Sequence, residues 1–318
     1  MKRILITGAS GTIGFSLVNQ LIELNEYEVT ALDLKSPKAI KKLKKISKDI
    51  NVIYGDINEE VLMDSLVKDH DVIIHLAGII PPFADIKSNL CRVVDYEGTK
   101  NLVRAIKENN PKCFLLFAST TTIYGNRPYT DEIKVSDEVR VDSDDNYALV
   151  KLRCEEIIEE NLKKYSIFRL SAVLSDIKNN TLMYNIPLKS RVEFITADDA
   201  ARAFINALPK TKEINKKIFN ITGGDPCRTT FKNFLKTILK IHGISIRFIG
   251  TWTLVDKNFY SGFYADSDDA HDILKFREDS LDDYYKKQNK KTNKILRLIP
   301  ILLAIPFILA FRRRRNNK

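Results

Sequence analysis

Tyr147 and Lys151 stand four residues apart in the stretch Tyr-Ala-Leu-Val-Lys, and so share one face of a predicted helix. An ammonium beside a phenol favours the ionised phenol. Such a pair can give or take a proton nearer neutral pH than a tyrosine alone. Upstream, the hydroxyl pair Ser119 and Thr120 follows an apolar run and can hold a substrate oxygen. Near the start lie three glycines, Gly8, Gly11 and Gly14, in the segment Thr7-Gly-Ala-Ser-Gly-Thr-Ile-Gly14. A dinucleotide cradle, a hydroxyl and a proton donor, in that order, point to hydride chemistry on an alcohol or ketone.

These groups need a strand, a tight turn and a helix to position them. Arg3 to Ile6 reads as a short buried strand, and apolar residues from Ile13 to Leu24 recur at helical spacing. Glycine between them permits the turn and lets the backbone approach a pyrophosphate at the helix N-terminus. The spacing is GxxGxxG, not the commoner GxGxxG. Tyr27 to Leu32 reads as the next strand. Asp33 closes it about 20 residues after Gly14, where an acid accepts from ribose hydroxyls. An acid there repels a 2′-phosphate, so NAD is favoured over NADP; Lys35, two residues on, weighs the other way.

Further strands are predicted at Asn51–Tyr54, Asp71–His75, Cys113–Ala118, Ser166–Leu170 and Ile218–Thr222, with helical patterns between them. That alternation predicts an α/β fold, a doubly wound parallel sheet covered on both faces. Ligands bind such a sheet outside the carboxyl ends of its strands. Asp56-Ile57, His75 to Gly78 and Ser119-Thr120 all follow strands at that edge. The expected organisation is a dinucleotide-binding domain over 1–175, a small C-terminal substrate lobe over 176–285, and a basic linker with an apolar tail over 286–318. Thr196 and Asp199 predict a capping box for a helix to Leu208, so Asp198 and Asp199 read as caps before catalysts. Substrate contacts are expected from 80–90, 171–195 and 245–265; Trp252, Phe259, Tyr260 and Tyr264 read equally as pocket lining or as core and rim packing.

At this point the chain resembles the extended short-chain dehydrogenase/reductase superfamily, in its NAD-dependent epimerase/dehydratase group, from about Lys2 to Thr222. The motifs that carry the resemblance are TGASGTIG at 7–14, Asp33, GDI at 55–57, HLAG at 75–78, EGTKNL at 97–102, STTTIYG at 119–125 and YALVK at 147–151. It implies an NAD site built from Gly8, Ser10, Gly11, Thr12, Ile13, Gly14, Asp33, Asp56, Ile57, Leu76, Ala77, Gly78, Tyr147 and Lys151. It also implies catalysis by Tyr147 and Lys151, with Thr120, four before Tyr124, as the catalytic hydroxyl and Ser119 as the fallback. A helix-pair homodimer is a further implication. Asp95 stands where the sugar-nucleotide epimerases usually carry Asn. The segment after Arg169 and the stretch Ser175–Glu193 also depart from that group. Three functions are therefore weighed: NAD-dependent redox, epimerase or dehydratase chemistry, with a sugar nucleotide among the substrates; a membrane-surface, steroid-dehydrogenase-like reductase of a lipid-like alcohol or ketone; and a non-catalytic nucleotide-sensing scaffold.

The 318 residues carry a formal charge of +10, but eleven cations and no acid lie after Tyr285, which leaves residues 1–285 at −1. The body is near neutral, and no nucleic-acid partner is expected. Four scattered histidines and four cysteines without CxxC spacing suggest neither a metal site nor a disulfide framework. The first strand begins at once, so no signal peptide is expected. Leu298–Phe311 is uncharged and apolar between Arg297 and four arginines. As a helix it would be about 21 Å long, against about 30 Å of hydrocarbon core. The expectation is an anchor on the cytoplasmic face of a membrane, with the flanking cations on anionic lipid.

Overall fold

The computed structural model of the chain describes residues 1–81, 83–127, 132–175, 186–243, 245–246 and 262–292. The main sheet joins β1 (Lys2–Thr7), β2 (Tyr27–Asp33), β3 (Asn51–Tyr54), β4 (Val72–His75), β5 (Phe114–Thr120), β6 (Tyr165–Leu170) and β9 (Lys217–Ile221). All seven are parallel, in the order β3-β2-β1-β4-β5-β6-β9. Every residue of β4, β5 and β6 is buried. That is why these segments read as continuous apolar runs and not as alternating ones.

Successive side chains still point to opposite faces. Ile4 and Ile6 enter one apolar layer with Leu17, Val18, Phe168 and Phe204, whereas Leu5 enters the other with Ile73, Met63 and Leu102. Helices α1 (Thr12–Leu24) and α8 (Ala197–Ala207) cover the first face. Helices α3 (Glu60–Lys68), α6 (Gly98–Asn109) and α7 (Asn146–Asn161) cover the second. Helix α2 (Pro37–Leu43) follows β2. Two single turns, α4 (Phe83–Ile86) and α5 (Ser88–Cys91), follow β4. From Arg92 to Glu97 the chain widens into a π-turn before α6.

A smaller sheet, β10 (Arg228–Thr230), β8 (Arg191–Thr196) and β7 (Ala172–Leu174), carries α9 (Phe231–Ile241). Phe194, Phe231, Phe234 and Tyr284 fill the core beneath it, with the Phe194 and Phe234 rings 4.4 Å apart. Helix α10 (Ser267–Leu274) packs beside β9, and α11 (Leu281–Lys291) docks on α9. Thr196 does cap α8, accepting from Asp199 N at 3.0 Å. The Asp199 carboxylate does not return to Thr196; it receives the backbone N–H groups of Glu278 and Asp279, both at 3.1 Å.

Two expectations change here. The stretch from Lys286 to Lys291, expected to belong to a basic linker, is the end of helix α11. Tyr284 and Gln288 are buried on its inner face, and Lys287 pairs with Asp198 at 3.1 Å. The expected attachment to the cytoplasmic face of a membrane is corrected. Among the described residues no helix is long and apolar enough to cross a membrane, and part of the basic stretch behind that expectation lies on the solvent face of a docked helix. The apolar run 298–311 lies outside the described residues, as do Trp252, Phe259 and Tyr260.

Candidate active site

The glycine turn is fixed by contacts that only glycine allows. Gly8 has φ +71°, and a Cβ there would lie 2.7 Å from Ala77 N; a Cβ on Gly14 would lie 2.4 Å from Gly8 O. The turn is thus pressed against the loop after β4. Gly11 and Thr12 are exposed at its crest, with Ile13 behind them. Gly11 is the N-cap of α1; no side chain caps the helix and no acid lies in its first turn. Those backbone N–H groups are available to an anion. Asp33 receives Ser10 N at 2.7 Å and Leu34 N at 2.8 Å, so it braces the turn it faces. Lys42 of α2 donates to Ser10 O at 2.8 Å and sits over the Phe15 ring. Sequence reasoning named Lys35 and missed Lys42, which a helix brings back to the turn.

The other predicted cofactor residues lie on the same edge. Asp56 Oδ1 accepts from Asn58 N at 2.9 Å, and Ile57 O accepts from Asn101 Nδ2 at 2.7 Å. Leu76, Ala77 and Gly78 follow β4. Beneath them His75 is fully buried, bonded to Thr7 Oγ1 at 2.6 Å and Thr99 Oγ1 at 3.0 Å. Thr99 donates to Asp95 O, so it accepts from His75 Nε2, and Thr7 donates to Nδ1. Burial first, then the Lys151 charge, pushes His75 down to about 3. The ring is a neutral brace between β1, β4 and α6.

Tyr147 and Lys151 are both buried on the inner face of α7. The Lys151 ammonium lies 6.0 Å from the Tyr147 ring centroid and 4.8 Å from that of Phe117, and it donates to Ala118 O at 3.1 Å. Strand alternation separates the two predicted hydroxyls. Thr120 opens the turn Thr121–Tyr124, accepting from Thr122 N at 3.2 Å, with its hydroxyl 3.1 Å from that of Thr122. Ser119 instead donates to Glu155. Glu155 forms a buried pair with Arg169 at 2.7 Å, and Arg169 donates to the Tyr124 hydroxyl at 2.8 Å. Tyr124 donates to Asn220 at 2.9 Å, and Asn220 to Asp266 at 2.9 Å. This chain ties β5, α7, β6 and β9 behind the site. No local pattern signals it, because Glu155 reads as one more acid on a helix surface.

Asp145 caps α7, accepting from Ala148 N at 2.9 Å, and burial pushes its carboxyl up to about 6. A folded value above the unfolded one means that the folded state holds the proton more tightly. This group's contribution therefore falls as pH rises from about 4 to about 6. Asparagine caps as well as aspartate. Asp145→Asn should therefore gain on wild type across that window, by on the order of 2 kcal/mol at pH 7. Denaturant melts at pH 4.5 and 7.5 check this; a difference independent of pH would contradict it.

Residues 5–165, half of the chain, match the model of the 3-beta hydroxysteroid dehydrogenase/isomerase family. The chain belongs to this family. It is thereby an extended short-chain dehydrogenase/reductase by descent. Among curated relatives, UDP-N-acetyl-alpha-D-glucosaminuronate decarboxylase of Bacillus cytotoxicus is 31% identical over 125 residues, covering 39% of this chain and 38% of that protein. The bifunctional polymyxin resistance protein ArnA of Wigglesworthia glossinidia brevipalpis is 25% identical over 314 residues, covering 84% of this chain and 46% of that one. The chain thus spans less than half the length of either relative. The structure of UDP-glucuronic acid 4-epimerase from Bacillus cereus with UDP-glucuronic acid and NAD superposes with a TM-score of 0.74, covering 91% of this chain and 99% of that one at 20% identity. At that identity the fold is what the two share.

Proposed function

We propose that this family member is an NAD-dependent enzyme that oxidises, epimerises or dehydrates a sugar nucleotide at a hydroxyl or ketone. The observation that carries the reading is the buried Tyr147–Lys151 pair, packed against Phe117 and Ala118 near the end of β5, the strand that ends in Thr120. Family membership supports dehydrogenase chemistry, and the names of the relatives, a UDP-sugar decarboxylase and a UDP-glucuronic acid 4-epimerase with NAD, support the cofactor and the substrate class. A non-catalytic scaffold has no use for a buried tyrosine–lysine pair. The lipid-like substrate rested on the membrane anchor and is not carried further.

The cradle fits a dinucleotide: an uncapped helix N-terminus, an exposed glycine crest and the Asp33 carboxylate lie together. The nicotinamide, when bound, supplies a hydride acceptor or donor. Gly11, Thr12 and Ile13 would hold the pyrophosphate, and Asp33 the adenosine ribose. Tyr147 moves the proton at the substrate oxygen, Thr120 holds that oxygen, and Lys151 supplies positive charge beside the phenol and a donor for the nicotinamide ribose. Ser119 serves the Glu155–Arg169 pair and not the substrate. The full chain with NAD and UDP-glucuronic acid or UDP-glucose, followed by absorbance at 340 nm and product chromatography, tests the reading. Turnover that vanishes in Tyr147→Phe supports it. No turnover of either compound would reject these sugar nucleotides as substrates.

A further inference from the structure

Lys151 is buried, and in the Tyr147 site its ammonium meets a carbonyl and two aromatic faces. A buried ammonium needs a counter-charge. Asp95, in the π-turn Arg92–Glu97, is fully buried; its Oδ1 accepts from Ile79 N at 2.7 Å. Its Oδ2 has no hydrogen-bond partner and lies 3.6 Å from Lys151 Nζ. Space for that oxygen exists because residue 78 is glycine: a Cβ there would lie 2.7 Å from it. An asparagine would satisfy Ile79 equally well, so the second oxygen matters for its charge.

We propose that Asp95 is the counter-ion of Lys151 and a positioning residue for the Tyr147–Lys151 pair. It holds the ammonium by charge and sets the pH at which the tyrosine works. Of the other groups facing the pair, two cysteines and His75 are neutral, whereas Asp145, which accepts from the Tyr147 backbone N–H, is an anion above about pH 6 in wild type and variant alike. Burial pushes Cys91 of α5 up to about 12 and Cys154 of α7 up to about 11, and holds His75 beside β5 down to about 3. Glu155 is occupied by Arg169, and Asp85 of α4 acts on Asp145 at the foot of the helix. Burial raises the Asp95 carboxyl and the Lys151 charge pulls it back down; ionised in the range where tyrosine titrates, it cancels part of the ammonium's field at the phenol. Without it the phenol ionises more readily for as long as Lys151 keeps its proton.

This inference rests on Tyr147 and Lys151 as the proton-handling pair. NADH binding by the wild-type chain, measured on the same samples, reports on that reading separately. The test uses the full chain without cofactor or substrate. Ultraviolet titration of tyrosinate, as the difference between a protein and its Tyr147→Phe counterpart, reads the Tyr147 midpoint. Asp95→Asn is expected to move that midpoint by about one pH unit, a tenfold change, downward while Lys151 stays charged and upward if the unpaired lysine gives up its proton. An unchanged midpoint overturns the proposal. Thermal unfolding of Asp95→Asn, Lys151→Met and the double variant gives a second arm that does not depend on the first. The double variant should melt above Asp95→Asn, because it leaves no charge unpaired, and it should fold even where Asp95→Asn does not. A double variant melting at or below Asp95→Asn overturns the counter-ion assignment.

Discussion

Tyr147→Phe should lower turnover by about 10²- to 10⁴-fold while dinucleotide affinity stays within about twofold of wild type. In the proposed reaction the phenol oxygen handles the proton, and its loss leaves the ring packed between α7 and β5. Lys151→Ala should damage both turnover and affinity, since the ammonium is assigned to the phenol and to the ribose. Thr120→Val should lower turnover. Ser119→Ala should act through stability, because its hydroxyl is spent on Glu155. Steady-state rates and NADH titrations on the same preparations separate these effects. Retention of more than a few per cent of activity by Tyr147→Phe would remove the tyrosine from the proton path.

Glu155→Ala should be the most destabilising single change near the site. It strands Arg169, whose side chain is 6% exposed and keeps its bond to the Tyr124 hydroxyl but loses its carboxylate. Breaking a buried pair in this way costs about 3–5 kcal/mol. Replacing Glu155 and Arg169 together by methionine should cost less than Glu155→Ala alone, because neither charge is then left uncompensated. Chemical denaturation of the three proteins measures the order. A loss under about 1 kcal/mol for Glu155→Ala would mean that water reaches Arg169 and that the network is not the brace described.

The main sheet was legible because its strands are buried on both faces. Asn51–Tyr54 came out with the same bounds as read, and the other strands differ by one or two residues at an end. The cofactor edge was legible for a related reason: a glycine turn, an acid at the end of β2 and a Tyr-x-x-x-Lys pair are local signals. What was not legible is non-local. β7 and β10 have three residues each and form only against β8. Helix α11 is polar along most of its length and holds its place through Leu281, Tyr284 and Gln288, so its lysines read as a linker. The π-turn and the Asp95–Lys151 approach join residues far apart in the chain, and no spacing rule links them. Glu155 and Arg169 meet because a helix and a strand cross, which the pattern of either alone does not reveal.

The most direct measurement is a titration of the full-length chain with NADH and NADPH, followed by nucleotide fluorescence. Asp33, at the end of β2 against the glycine turn, is the residue proposed to meet the adenosine ribose, where its charge would oppose a 2′-phosphate. NADH should bind more tightly, by about tenfold or more. Equal or tighter binding of NADPH would move the specificity to Lys42, beside Ser10. Failure to bind either nucleotide would contradict the dinucleotide site itself, and with it the enzyme built around Tyr147.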